Sequence, residues 1–214
     1  MECINTRLNM ASGFIFDCDG TLIDSLGAWE EAERDLFAQS GPLTQEQEDE
    51  IHSAPIERAA EIFHEKYGVG KSAEAVLAHL DGHLLDFYGN HAEAIPGAVE
   101  FVKMVHESGL PCVVLSSSPR RYLDAGLRRI GIRDCFVELV TTDETGCSKQ
   151  DFAIYERAVG ILGGSPETTW AVDDAPYAVK VMHEFGLKTI CVGERSSQFA
   201  DLNVEFLSEI KRNA

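Results

Sequence analysis

From residue 94 onward the chain alternates two kinds of apolar pattern. Stripes with helical spacing occur at Ala98/Phe101/Val102/Val105, Leu123/Leu127/Ile130, Phe152/Tyr155/Val159/Leu162 and Ala178/Val181/Met182/Phe185. Between and after them lie short apolar runs, Cys112–Leu115, Phe136–Val140, Trp170–Val172 and Thr189–Val192. Unbroken runs suit strands covered on both faces, whereas half-exposed strands alternate. Three stripes stop at a glycine, Gly109, Gly131 and Gly186, the residue that best tolerates the left-handed turn closing a helix. Phe14–Phe16 adds one more strand near the N-terminus. The recurring strand–helix–strand order predicts an α/β fold, a Rossmann-like parallel sheet with helices on both faces. After Gly193 the pattern weakens; one short strand near Leu202–Phe206 and then a frayed helix are expected.

Residues 25–93 carry helical stripes alone: Trp29/Ala32/Leu36/Phe37, Ile56/Ala59/Ala60/Phe63/Tyr67 and Ala73/Val76/Leu77/Leu80/Leu84/Phe87. No strand-like run interrupts them, and Pro96–Gly97 punctuates the return to the sheet pattern. The expected organisation is a core of residues 1–24 and 94–214 carrying an inserted all-helical domain of residues 25–93.

Composition is that of an ordinary globular protein, and no apolar run approaches the roughly 20 residues of a membrane span. Met1–Ser12 lacks the basic-then-apolar order of a secretory signal, so a soluble, cytoplasmic protein is the expectation. The formal net charge of −18 argues against nucleic acid or membrane lipid as partner, because binding either rests on a basic surface. Arg120–Arg121 and Arg128–Arg129 sit at helical positions expected to face solvent. The six cysteines contain no C-x-x-C pair, and three sit in or beside apolar runs. Free thiols are expected rather than disulfides or zinc ligands.

Open α/β sheets bind ligands at the C-terminal ends of their strands. Phe14–Phe16 runs into Asp17–Cys18–Asp19–Gly20–Thr21, Cys112–Leu115 into Ser116–Ser117–Ser118, and Trp170–Val172 into Asp173–Asp174. Lys149 follows the Phe136–Val140 run after a loop and is expected to open the next helix. Four carboxylates meeting at one edge repel one another unless a cation intervenes. An all-oxygen set suits a hard ion that keeps several waters, magnesium (Mg2+) rather than zinc or copper. With Lys149 neutralising part of the remaining charge, this edge suits a phosphoryl group, whose transfer depends on positioning and charge neutralisation.

In this order the four motifs resemble those of the haloacid dehalogenase (HAD) superfamily in its phosphatase branch, and the resemblance covers nearly the whole chain. The helical insert is similar to the small cap of the phosphoglycolate phosphatase and β-phosphoglucomutase subgroups. The resemblance implies that Asp17 is a nucleophile forming an aspartyl-phosphate, and that Asp19 is the general acid and then the base. It also implies a phosphoryl contact from Ser116, and a Lys149 that holds Asp17 and the phosphoryl oxygens together. The implied magnesium ligands are Asp17, the main-chain carbonyl of Asp19, Asp174 and, directly or through water, Asp173. Asp19 separates the chain from haloacid dehalogenases and phosphonoacetaldehyde hydrolases, which lack an acid at that place. Two departures bear on loop geometry: Lys149–Gln150–Asp151–Phe152–Ala153 stands for the family's Lys-Pro-x-Pro-Asp, and Ala178 stands where a glycine often follows the paired acids.

The expected substrate is a small phosphorylated metabolite, with selectivity left to the cap. The segment His52–Ser53–Ala54–Pro55 is expected to face the site. Arg58 or Lys66 from the cap, and Ser117, Ser118 and Arg120 from the core, are candidate substrate contacts; Ser118 would also serve as a helix cap. A phosphatase is expected first and a phosphomutase of the β-phosphoglucomutase type second, since both use the same residues. A phospho-receiver domain also combines an acid pair, Ser/Thr and Lys, but there the pair comes first in the chain and no helical insert occurs. A silent binding protein would be expected to lose a motif residue, and none is missing. Monomer and homodimer are both compatible with the sequence.

Overall fold

The computed structural model describes residues 11–210, and of Gln45, Asp49, His52 and Ser53 the backbone alone. In chain order, β1 (Gly13–Phe16) is followed by the helices α1 (Leu26–Ser40), α2 (Gln45–Ser53), α3 (Ile56–Tyr67) and α4 (Ala73–Asp86). A π-helical turn, Phe87–His91, extends α4. Then come α5 (Ala98–Glu107), β2 (Cys112–Ser116), α6 (Arg120–Arg129), β3 (Glu138–Thr141) and the single turn α7 (Thr142–Thr145). The chain continues through α8 (Phe152–Leu162), β4 (Thr169–Asp173), α9 (Pro176–Phe185), β5 (Lys188–Val192) and β6 (Leu202–Val204).

All six strands are parallel, in the order β3-β2-β1-β4-β5-β6. Every residue of β1, β2 and β4 is buried, which is why these strands read as unbroken apolar runs. The side chains of β1 divide between two cores. Phe14 and Phe16 pack edge-on against Phe101 of α5, at 5.9 and 6.0 Å between ring centroids. Ile15 faces the other way, into a cluster with Ile154 and Tyr155 of α8 and Met182 of α9. Phe14 lies opposite Cys112 on one side and Trp170 on the other. The strand order therefore reverses at β1, and the ends of β1, β2 and β4 border the crevice where open α/β sheets take ligands.

The helical layer α1–α4 joins the sheet through two chain segments that run side by side. Asp24 N donates to Glu93 O and Ile95 N to Leu22 O, both at 3.0 Å. Its helices bury the expected stripes, for example Ile56, Ala59, Ala60 and Phe63 of α3. Helix α2 lies outside the sequence reading because QEQEDEIHS has no apolar stripe. What starts it is a capping box: Thr44 Oγ1 accepts from Gln47 N, and Thr44 N donates to Gln47 Oε1.

Several further expectations change. Lys149 does not open a helix; it stands three residues before α8, in a turn. Among the described residues the tail after β6 forms a short 3₁₀ turn, Leu207–Glu209, and the end of the expected frayed helix lies outside them. Arg120 and Arg121 are not solvated charges: Arg120 binds Glu138 and Glu144, and Arg121 binds Asp81 of α4 at 2.8 Å. Five cysteines are free thiols, with Cys18, Cys112 and Cys191 buried; Cys3, the side chains of His52 and Ser53 and the last four residues lie outside the described residues. Among the described residues no helix is long and apolar enough to cross a membrane.

Gly126, inside α6, marks the closest approach of this core helix to the insert. A Cβ there would lie 2.6 Å from Ile23 Cδ1 and 2.8 Å from Tyr88 Cδ1. On an open helix surface Gly→Ala stabilises by roughly 0.5–1 kcal/mol; here overpacking should reverse the sign. Gly126→Ala is expected to destabilise by about 1–3 kcal/mol, measured by urea denaturation.

Candidate active site

Asp17 follows β1 directly and still pairs with the sheet, its N–H donating to Val172 O at 2.9 Å. The turn that follows depends on Gly20, whose φ is +78° and where a Cβ would lie 2.9 Å from the Asp174 carboxyl. Only glycine fits both the left-handed backbone and the close approach. Thr21, fully buried, donates to Asp17 Oδ2 at 3.4 Å. At the end of β4, Asp173 Oδ1 accepts from Ala175 N at 2.8 Å, which turns the chain into α9.

The lysine joins these strands. Lys149 Nζ lies 2.6 Å from Asp17 Oδ1 and 2.8 Å from Asp173 Oδ2, with all three side chains almost fully buried. Tyr155 of α8 fixes the lysine's own backbone by donating to Lys149 O at 2.7 Å. Burial works against the ammonium, but the charges of Asp17 and Asp173 outweigh it and hold the lysine pKa well above its ordinary value. Burial also raises the Asp17 pKa well above the usual carboxylate range, against the pull of Lys149. Asp174 is pushed up to about 6, by burial first and then by the charge of Asp173. One ammonium beside three carboxylates leaves the cluster short of positive charge, so protons bind it tightly.

Asp17, Asp173 and Asp174 each offer an oxygen within 4.8 Å of the others. Three close carboxylates with no soft donor among them fit a hard divalent cation.

Asp19 is held differently. Its Oδ1 accepts from Ser25 Oγ at 2.6 Å and from Tyr88 OH, and its Oδ2 from Ser118 Oγ at 2.7 Å and Ser116 Oγ at 3.4 Å. Tyr88 OH in turn accepts from Trp29 Nε1 at 2.9 Å, and its ring stacks on Tyr122 of α6. One carboxylate thus gathers hydroxyls from both ends of the insert and from the β2–α6 loop.

Every core residue singled out in the sequence except Arg120 lines one cavity of about 500 Å³, roofed by the helical insert. Arg120 stands outside that lining, bound to Glu144 at 2.6 Å and Glu138 at 2.9 Å. Arg58 is half exposed and lies 2.7 Å from Glu61, and Lys66 pairs with Glu50; neither lines the cavity. The sequence reading gave no role to Thr21, Ser25, Trp29, Tyr88, Tyr177 or Arg195, all of which touch the acids or the cavity. Thr21 and Ser25 flank the first motif and were within reach of it. Nothing local marks Tyr88, which lies 69 residues from Asp19.

A parallel sheet whose first strand runs into an aspartate, joined by a lysine to an acid pair, defines a class, and family comparison gives it a name. The family model for haloacid dehalogenase-like hydrolases matches residues 11–186. The chain belongs to that family and is an enzyme. It is similar to hexitol phosphatase B of Escherichia coli K12, 25% identical over 205 residues and 92% of each chain. It is equally similar to validoxylamine A 7'-phosphate phosphatase of Streptomyces hygroscopicus subsp. limoneus, 25% identical over 191 residues and 89% of each chain. Among solved structures, CbbY from Rhodobacter sphaeroides in complex with phosphate shares the fold, with a TM-score of 0.77 at 19% identity over 93% of this chain and 96% of that one.

The Trp29–Tyr88–Asp19 chain generates a test. Tyr88→Phe removes a donor to a carboxylate and the acceptor of Trp29 Nε1–H. It is expected to cost about 1–3 kcal/mol, read by chemical denaturation, with a change in Trp29 fluorescence in the native baseline.

Proposed function

We propose that the chain is a magnesium-dependent phosphatase that hydrolyses a small phosphorylated metabolite through an aspartyl-phosphate on Asp17. The observation that carries this reading is the buried Asp17 carboxylate, 2.6 Å from Lys149 Nζ and grouped with Asp173 and Asp174 at the floor of a cavity. The phosphatase names of the relatives support it.

Asp17 attacks phosphorus, the new P–O bond forms as the ester P–O bond breaks, and the leaving alcohol oxygen takes a proton from Asp19. Water then attacks the same phosphorus and gives a proton to Asp19, which frees Asp17 and inorganic phosphate. To serve as acid, Asp19 must exchange one of its four hydroxyl partners for the leaving oxygen. Lys149 neutralises the phosphoryl oxygens, and the Ser116 hydroxyl, with Ser117 and Ser118 behind it, contacts them. A magnesium ion held by Asp17, the Asp19 carbonyl, Asp173 and Asp174 would supply further charge neutralisation. Residues 25–93 act as the cap, roofing the cavity over Asp17 while leaving room for the water that hydrolyses the aspartyl-phosphate.

Phosphate release from p-nitrophenyl phosphate and a panel of phosphometabolites tests the reading. Asp17→Asn, checked for folding by circular dichroism, is expected to lower turnover at least about a thousandfold. A variant that keeps a tenth of the wild-type rate would rule out Asp17 as the nucleophile.

A second test follows from the acid cluster. Asp17 and Asp174 bind protons more tightly in the native state than in the unfolded chain, Asp174 moving from 3.8 to about 6. With chelator present, the contribution of Asp174 to stability is greatest at low pH and is lost as pH rises through about 6. A divalent cation replaces those protons and binds more tightly over the same interval. The rise in melting temperature on adding magnesium is therefore expected to grow between about pH 4 and 7. A magnesium effect independent of pH would contradict the proposed ligands.

A further inference from the structure

The cavity above Asp17 has two walls of opposite character. Its floor is the acid cluster with Lys149. Its roof comes from the insert: Leu26 and Trp29 of α1, Ile51 of α2, Ile56 and Ala59 of α3, and Leu80 of α4. The charged residues of that roof are both acidic, Glu30 and Glu33. Among the described residues, no lysine, arginine or histidine of the insert lines the cavity. Arg58, the obvious cap cation, lies outside the lining and is committed to Glu61 at 2.7 Å and Glu65 at 3.7 Å. The bases that do line the cavity belong to the core. Lys149 is bound to Asp17 and Asp173, and Arg195 lies at the rim, 3.5 Å from Asp174 Oδ2.

We infer that this roof restricts the site to phosphate monoesters whose alcohol carries no second anionic group, with Glu30 a specificity-determining residue. The inference rests on the phosphatase reading and narrows it. With one phosphoryl group on the floor, the alcohol of the ester points at the roof. A second phosphate or a carboxylate there would lose water against Trp29, Ile56 and Leu80 without meeting a cation among the described residues, a costly burial. The Glu30 carboxylate adds like-charge repulsion. A polyol or an amine-bearing alcohol meets neither obstacle: its carbon skeleton packs on the apolar residues, and an ammonium group is drawn to Glu30. The same constraint weighs against a phosphomutase that passes through a bisphosphorylated sugar, because that intermediate must place its other phosphate under the roof.

The test compares kcat/KM in matched pairs with magnesium present: glucose 6-phosphate against glucose 1,6-bisphosphate, and ethanolamine phosphate against 2-phosphoglycolate. Where a compound is not turned over, the same comparison is made as competitive inhibition of p-nitrophenyl phosphate hydrolysis. The member without the second anion is expected to be favoured by about a hundredfold or more, the scale of an uncompensated buried charge. Glu30→Lys is expected to raise the ratio of bisphosphate to monophosphate about tenfold, and Arg58→Ala to leave that ratio unchanged. Equal use of both members, or a bisphosphate activity that Arg58→Ala abolishes, overturns the inference and leaves the phosphatase reading standing. No hydrolysis of any ester, p-nitrophenyl phosphate included, overturns the phosphatase reading and the inference with it.

Discussion

The ammonium of Lys149, held between the carboxylates of Asp17 and Asp173, is the contact on which this architecture turns. It ties together three separate stretches of chain: the end of β1, the end of β4 and the loop before α8. Removing one partner of such a buried pair costs about 3–5 kcal/mol, because the other charge is left alone in a poor dielectric. Tyr155 of α8 anchors the lysine's backbone by donating to its carbonyl at 2.7 Å. The same contact leaves the cluster incompletely neutralised, and that shortfall is what makes it a receptor for further positive charge. Folding and chemistry therefore draw on one electrostatic arrangement.

Asp19 plays a comparable part at the seam between sheet and insert. Its four hydroxyl donors come from Ser25 and Tyr88, at the two ends of the insert, from Ser116 at the end of β2 and from Ser118 just beyond it. A carboxylate tied in this way senses where the helical layer sits, because any movement of α1 or of the π-helical turn changes its partners. Arg121 and Tyr122 strengthen the seam from α6 by binding Asp81 of α4. Gly126 lets the ring of Tyr88 come close enough to be stacked by Tyr122.

The sheet was legible in the sequence because its strands are covered on both faces, which turns them into apolar runs such as Cys112–Leu115. The acids and the lysine were legible because strand ends are where an open sheet puts its chemistry, and Asp17, Ser116 and Asp173 stand there. What escaped was carried by local hydrogen bonding or by distance. Helix α2 starts from the Thr44–Gln47 capping box rather than from an apolar stripe. Tyr88 closes the end of a helical pattern, and nothing in its neighbourhood predicts that it will reach Asp19. Arg120 read as a solvated or substrate-facing charge, yet Glu144 and Glu138, 24 and 18 residues further on, occupy it. Such pairings depend on where β3 and α7 deliver their glutamates, which no periodicity encodes.

A chain with a net charge of −18 must still admit a dianion to its site. It can do so only where the field is reversed locally, and the distribution of charge around the cavity shows where that happens. Among the described residues its basic side chains, Lys149 and Arg195, lie on the core side, next to the acids that would hold a cation, while the roof offers apolar side chains and glutamates. Once a cation sits among those acids, the potential would run from attractive at the floor to repulsive at the roof, along the line a bound ester would follow. Such a gradient orients a substrate before any specific contact forms, because only one end of a phosphate monoester is charged. Orientation of this kind needs no basic side chain in the cap, which is why a cap whose Arg58 is paired with Glu61 can still cover such a floor.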